Sequence, residues 1–144
     1  MGIETTLHAR LRGLVSFLPA FESAAFKFGR WSNPESTDNG GLTLPFVEIS
    51  ETGAAFVKAA YDLGWVEPDF DWSTWIGTLE ARSLRDDPST LSKATSDQLA
   101  HLLTVIIRQD RFVDGSLLAS YESGLLTDIL RRAAALTVES AAGN

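Results

Sequence analysis

The segment that opens at Thr95 and ends in the stretch from Arg108 to Phe112 leaves the chain little choice but an amphipathic helix. Thr95 is followed three residues later by Gln98, the spacing of a capping box, in which each side chain satisfies a backbone N–H that the first helical turn would leave open. Behind it Leu99, Leu102, Leu103, Ile106 and Ile107 recur at the 3.6-residue period, while Asp97, His101, Thr104 and Arg108 fall on the other side. A segment so patterned needs partner helices to cover its stripe, and the rest of the chain supplies them.

Leu7, Leu11, Leu14, Val15 and Leu18 predict a helix from about 3 to 18, with Pro19 unable to continue it. The aromatic stretch from Phe21 to Trp31 fits either a short helix or an extended connector. Residues 32 to 41 pack turn formers without an apolar anchor and read as an exposed loop. Leu42 to Ile49 alternates like a short strand, which Pro45 confines to an edge or breaks. Ser50 can cap a helix carrying Phe56, Val57, Ala60, Tyr61 and Leu63, with Gly64 placed to end it. Asp71 suits the N-cap of a helix over Trp72 to Leu84, with Trp72, Trp75, Ile76, Leu79 and Ser83 on one side. Asp86, Asp87 and Pro88 would stop that helix. Asp114 can cap a helix from Gly115 to Glu122, Gly124 breaks it, and Leu126, Ile129, Leu130 and Ala133 carry a last one. From Ala134 the pattern fades, and residues 137 to 144 are expected to fray. The expectation is an all-α or mostly-α single domain over 1–144, a compact array of about six helices with one short extended segment or hairpin near 42–49. At 144 residues, roughly 68% of the unfolded surface can be buried, which supports one core without covalent staples.

The chain contains no cysteine, which removes disulfides, thiolate nucleophiles and Cys-bearing metal sites together. This suits a reducing cytoplasm. Glu4, His8, Arg10 and Arg12 interrupt the N-terminal apolar pattern, so a signal peptide is not expected, and no apolar run approaches a membrane span. No Gly-rich phosphate loop, dinucleotide fingerprint or Gly-x-Ser-x-Gly elbow occurs. His8 and His101 lie on different helices, so no metal site and no cofactor are expected. His101 stands one turn after Asp97, which could orient it as a general base.

The net charge of −7 is concentrated. Between Glu35 and Asp71 lie eight carboxylates against Lys58 alone, and the remainder of the chain holds 11 acids and 11 bases. Such a segment disfavours direct nucleic-acid binding and favours a basic protein partner; the plainer reading is a solvated surface that keeps the chain soluble. Overlapping its end, the stretch from Trp65 to Trp75 places Glu67, Asp69 and Asp71 among tryptophans. Paired acids beside indoles suit glycoside chemistry, and alternate carboxylates suit a hard cation, although the glycine and terminal glutamate of a calcium loop are missing. Against both stands the reading in which Asp71 is a cap and Trp72 and Trp75 pack inward. Phe26, Phe28, Arg30 and Trp31 have the composition of an interface hot spot and equally of a core edge.

The stretch Arg108-Gln109-Asp110-Arg111-Phe112-Val113-Asp114-Gly115-Ser116-Leu117-Leu118, continuing through Glu122-Ser123-Gly124-Leu125-Leu126 to Ile129-Leu130-Arg131-Arg132, resembles an uncharacterised bacterial family of small proteins known only as a domain of unknown function. The likeness reaches back through Phe28-Gly29-Arg30-Trp31, Leu44-Pro45-Phe46 and Phe70-Asp71-Trp72. It implies a bacterial or phage-borne cytoplasmic protein, carries no catalytic residue across, and gives Gly115 in the Arg-Phe-x-x-Gly-x-Leu element a role beyond capping. The leading expectation is therefore a non-enzymatic protein–protein interaction domain with an acidic, aromatic-containing surface, and Arg30, Trp31, Trp65, Asp69, Asp71, Trp72 and Arg111 as its binding residues. One alternative is an acidic mimic of nucleic acid that blocks a nucleic-acid-binding protein. The other is an enzyme using Asp69, Asp71 or His101 as acid or base, with Arg30 or Arg111 holding an anion. Homodimerisation would follow from an exposed apolar face on the last helix.

Overall fold

Local caps and breakers set the helix boundaries. A computed structural model describes residues 6–32 and 46–142; the expected loop at 33–41, the start of the expected strand at 42–45 and residues 3–5 of the first helix lie outside the described residues. Helix α1 (Leu7–Val15) is capped by the Thr6 hydroxyl, which accepts from the Ala9 N–H. It stops earlier than its apolar spacing predicts, because Pro19 starts a separate turn, α2 (Leu18–Phe21), from that turn's first positions. The undecided aromatic stretch then divides: Phe21 ends α2, and Gly29–Ser32 forms β1, antiparallel to β2 (Phe46–Ile49) with Gly29 opposite Ile49 and Ser32 opposite Phe46.

Ser50 caps α3 (Glu51–Asp62), accepting from the Gly53 N–H, and Gly64 follows with φ +80°, the left-handed geometry expected of it. The single helix expected over 72–84 is two. Asp71 caps the short α4 (Trp72–Trp75), the chain turns through Gly77, and Thr78 caps α5 (Leu79–Asp86). This break moves Leu79 off the buried side, where its spacing had placed it, and leaves it 78% exposed, while Trp75, Ala81 and Leu84 are buried. Asp87 does more than stop α5: its carboxylate accepts from the Ser89 N–H and starts α6 (Pro88–Leu91).

Both halves of the Thr95–Gln98 capping box open α7 (Ser96–Gln109). Its five-residue apolar stripe is buried. Thr104, expected on the wet side, is completely buried, for reasons that belong to the 65–71 loop. The N-cap of α8 (Ser116–Glu122) is Gly115 rather than Asp114. Gly124 turns the chain with φ +90° into α9 (Leu125–Ala142), which stays helical beyond Ala134, where the sequence pattern weakens. Packing explains this continuation. Helix α9 touches α1, α2, α6, α7 and α8, so its length is held by tertiary contacts more than by its own periodicity. Leu126, Ile129, Leu130 and Ala133 are all buried in those contacts, and Val138 is a large apolar residue that the helix exposes. The result is a mostly α array with one two-stranded antiparallel sheet and a continuous buried cluster running through α1, α3, α5, α7, α8 and α9. No helix among the described residues is long and apolar enough to cross a membrane.

Candidate functional site

Two segments of the chain meet beside the C-terminal end of α7. The first is the loop from Trp65 to Asp71, which is fastened to α7 by polar contacts. Thr104 explains its own burial here: its hydroxyl accepts from the Glu67 N–H at 2.9 Å and donates to the Ala100 carbonyl at 2.8 Å. Glu67 Oε1 lies 2.6 Å from His101 Nδ1. The His101 ring stacks on Phe70 at 4.0 Å with 10° between planes and meets the Trp75 ring edge-on at 5.4 Å. Trp75 Nε1 donates to Glu80, whose other carboxylate oxygen accepts from Gln98 Nε2, both at 2.9 Å. The Gln98 amide first, and the indole N–H second, hold the Glu80 carboxyl below its usual range by bonding its charged form.

The expected Asp97–His101 relation is thus replaced. The imidazole takes its carboxylate from Glu67, 34 residues away in sequence, while Phe70 stacks on one of its faces and Trp75 meets it edge-on. That geometry anchors a loop. Among the described residues no cluster of three His, Asp or Glu side chains could hold a metal ion.

The second segment is the α7–α8 connection. Asp110 ends α7, and its carboxylate accepts from the Leu117 N–H at 3.0 Å, tying the two helices together across the turn. Val113 and Phe112 N–H groups both bond back to the Gln109 carbonyl. Gly115 closes the turn with φ +92°, and a Cβ there would lie 2.3 Å from Trp31 Cζ2. The glycine is needed twice, for its backbone and for the indole lying on it. Between these fixed ends Arg111, Phe112, Val113 and Asp114 all face solvent, Phe112 at 77% exposure. An ordered backbone is holding a phenylalanine out in water.

Phe112 has one aromatic neighbour, Trp72, whose ring centre is 6.0 Å away with 32° between planes. Trp72 is placed by the α4 cap: Asp71 accepts from the Thr74 hydroxyl and N–H and the Ser73 hydroxyl, which lowers its pKa, the Thr74 hydroxyl contributing most. Trp72, Ser73, Arg108, Arg111 and Phe112 line an open groove of about 380 Å³. Arg108 reaches the Pro68 carbonyl at 3.3 Å, and Arg111 donates to the Tyr61 hydroxyl at 3.1 Å.

The expected binding residues therefore separate. Trp72 and Arg111 come together in the groove, and Trp31 caps the far end of the same loop. Arg30 lies on β1 and pairs with Glu48 across the hairpin at 2.9 Å. Trp65 is fully buried, its Nε1 donating to the Arg10 carbonyl while the Arg10 guanidinium lies 4.6 Å over its ring. Asp71 is a cap, and Asp69 is exposed. Phe112 and Arg108 were absent from the expected set, although a signal existed: Phe112 is an aromatic lying off the apolar stripe of the best-defined helix.

No curated protein and no solved structure matches the chain. Residues 6–139 match the model of a family described as a family of unknown function (DUF6508), and the chain belongs to that family.

Proposed function

We propose that this chain is a non-enzymatic protein–protein interaction domain whose contact surface is the α7–α8 loop with its flanking aromatics, Trp72 on one side and Trp31 on the other. The observation that carries the reading is the 77% exposure of Phe112 on a backbone tied at Asp110 and Gly115. Exposed large apolar groups on an ordered turn, beside arginine, form the composition on which binding energy concentrates. The acidic segment gives less support to a basic partner than its residue count suggests. Of its six described carboxylates, Glu48 is held by Arg30, Asp62 by Lys58, Glu67 by His101, and Asp71 by the α4 cap. A nucleic-acid mimic would need those same carboxylates in a continuous row. With no cysteine in the chain, a reducing cytoplasm is the location proposed.

The test is site-specific photocrosslinking in cells from position 113, in the loop, and from position 93, in the turn before the N-terminal end of α7. A discrete crosslinked partner from 113 and none from 93 is expected. Equal capture from both positions, or none from either, refutes the reading.

A further inference from the structure

Among the described residues Arg10 and Arg82 hydrogen-bond only to backbone carbonyls, while Arg30, Arg85, Arg131 and Arg132 reach carboxylates. Arg108 and Arg111 do not. Among the described residues their partners are neutral: the Glu67 and Pro68 carbonyls at 3.5 and 3.3 Å for Arg108, and the Tyr61 hydroxyl at 3.1 Å for Arg111. Each guanidinium has five N–H donors in a fork that matches a carboxylate, and most of them remain unused here. The acids nearest in sequence are already committed, Asp71 to the α4 cap and Asp110 to the Leu117 N–H, while Asp69 and Asp114 stand exposed in the adjoining loops. Two guanidinium groups with no carboxylate bonded to them among the described residues thus line one groove with two aromatic rings.

We propose that this groove takes an acidic segment of a protein partner, one in which an aromatic or branched apolar residue lies between carboxylates. The inference rests on the reading of the α7–α8 face as a protein-docking surface and names what docks there. Carboxylates engage Arg108 and Arg111, and the apolar residue lies on the shelf made by Trp72 and Phe112. It lies on the shelf and not within it: the two rings are 6.0 Å apart and tilted by 32°, whereas clamping a flat ring between them needs about 7 Å between parallel planes, twice the contact distance of carbon atoms. The same geometry disfavours a nucleic acid, whose bases would have no clamp and whose phosphates would find two cations instead of a track. The chain's net charge of −7 repels a long polyanion far more than a peptide with a few carboxylates. At physiological salt, charges more than about 8 Å from the groove are largely screened, so most of the net charge counts for little there, and the charged side chains that line the groove itself are Arg108 and Arg111.

The experiment is an NMR titration of the whole chain, following the Trp72 indole N–H and the Phe112 ring signals. The probe is a short synthetic peptide with Phe between pairs of Glu; the comparisons are the same peptide with Lys for Glu, and a short oligothymidylate. The Glu peptide is expected to shift both signals saturably, and the Lys peptide to leave them unmoved. Arg111→Gln and Arg108→Gln are each expected to weaken binding about fivefold, as for a solvent-edge charge pair, and Phe112→Ala about tenfold. The proposal is overturned if the Glu peptide leaves the groove signals unmoved, if the Lys peptide binds equally, if oligothymidylate binds more tightly, or if the signals shift with protein concentration alone, which would make a second copy the occupant. A discrete partner crosslinked from position 113 together with an unmoved groove would sink this inference while leaving the docking reading intact.

Discussion

Gly115→Ala tests whether the α7–α8 loop is shaped by Trp31 as well as by its own backbone. Two separable penalties are expected. Gly115 has φ +92°, and placing a Cβ on left-handed backbone costs about 1–2 kcal/mol. The new methyl would also sit 2.3 Å from Trp31 Cζ2, more than 1 Å inside ordinary contact, so the indole must leave. Trp31 is 47% exposed; about half of a tryptophan surface, on the order of 100 Å², is therefore covered, worth about 2.5 kcal/mol if all of it were lost. Because the atom struck is the far end of a side chain at the surface, partial rotation should recover some of that. The total for Gly115→Ala is then about 2–4 kcal/mol by urea unfolding. Trp31→Ala separates the terms. In that background the clash has no target, and Gly115→Ala should cost only the backbone term, about 1–2 kcal/mol. A coupling energy of about 1 kcal/mol or more between the two positions is expected. If Gly115→Ala costs the same in both backgrounds, within about 0.3–0.5 kcal/mol, the indole does not rest on the glycine and the account of the loop is wrong.

Thr104→Val keeps the shape of a fully buried side chain and removes the hydroxyl that serves the Glu67 N–H. It should cost about 1–3 kcal/mol and speed amide exchange at Glu67 while Ile129 and Leu130 in α9 stay protected; an exchange rate at Glu67 unchanged beyond error would refute the anchoring role. Glu80 gives a pH signature. Its folded-state pKa is depressed below the ordinary 4.5 by Gln98 and Trp75, so its contribution to stability is fully present above that ordinary value and is lost as pH falls through the lower folded-state value. Urea midpoints measured from neutral pH downward should therefore fall less steeply below pH 4.5 in Glu80→Gln than in the parent chain, and superimposable slopes would count against the triad of Trp75, Glu80 and Gln98.

What the sequence made legible was whatever a few neighbouring residues decide. Thr95 with Gln98, Ser50, Asp71, Gly64 and Gly124 each do what their local pattern predicts, because a cap or a left-handed glycine acts within four or five residues. The mostly helical class follows from summing such signals. The errors arise where a distant contact outweighs the local pattern. The spacing of Trp72, Trp75, Ile76 and Leu79 continues smoothly across Gly77, yet Thr78 caps anew and turns Leu79 outward. Thr104 lies on the polar side of α7 by sequence and is buried because a loop 37 residues earlier needs its hydroxyl. The pairing of Gly29 with Ile49 was equally out of reach, since neither strand alone says what it pairs with.

The candidate site was harder to see for a related reason. Counting charges locates residues, whereas binding depends on which charges still lack a partner after folding. The count singled out the acids between Glu35 and Asp71, yet folding matches Glu48, Asp62 and Glu67 with bases and turns Asp71 into a cap. The same folding brings Arg108 and Arg111 to the end of α7 and sets only neutral oxygens against them, beside rings that α4 and the α7–α8 turn hold at the surface. Within the groove at this end of α7, the charged side chains left with only neutral partners are therefore cations. Periodicity misses the groove for the same reason: it finds the side chains that serve the core, such as Ile106 and Ile107, and passes over Phe112, which lies off that stripe and is exposed in the structure. The residues a partner would use are those that neither the core nor an intramolecular ion pair has claimed, and at this end of α7 they are Arg108, Arg111, Phe112 and the outer face of Trp72.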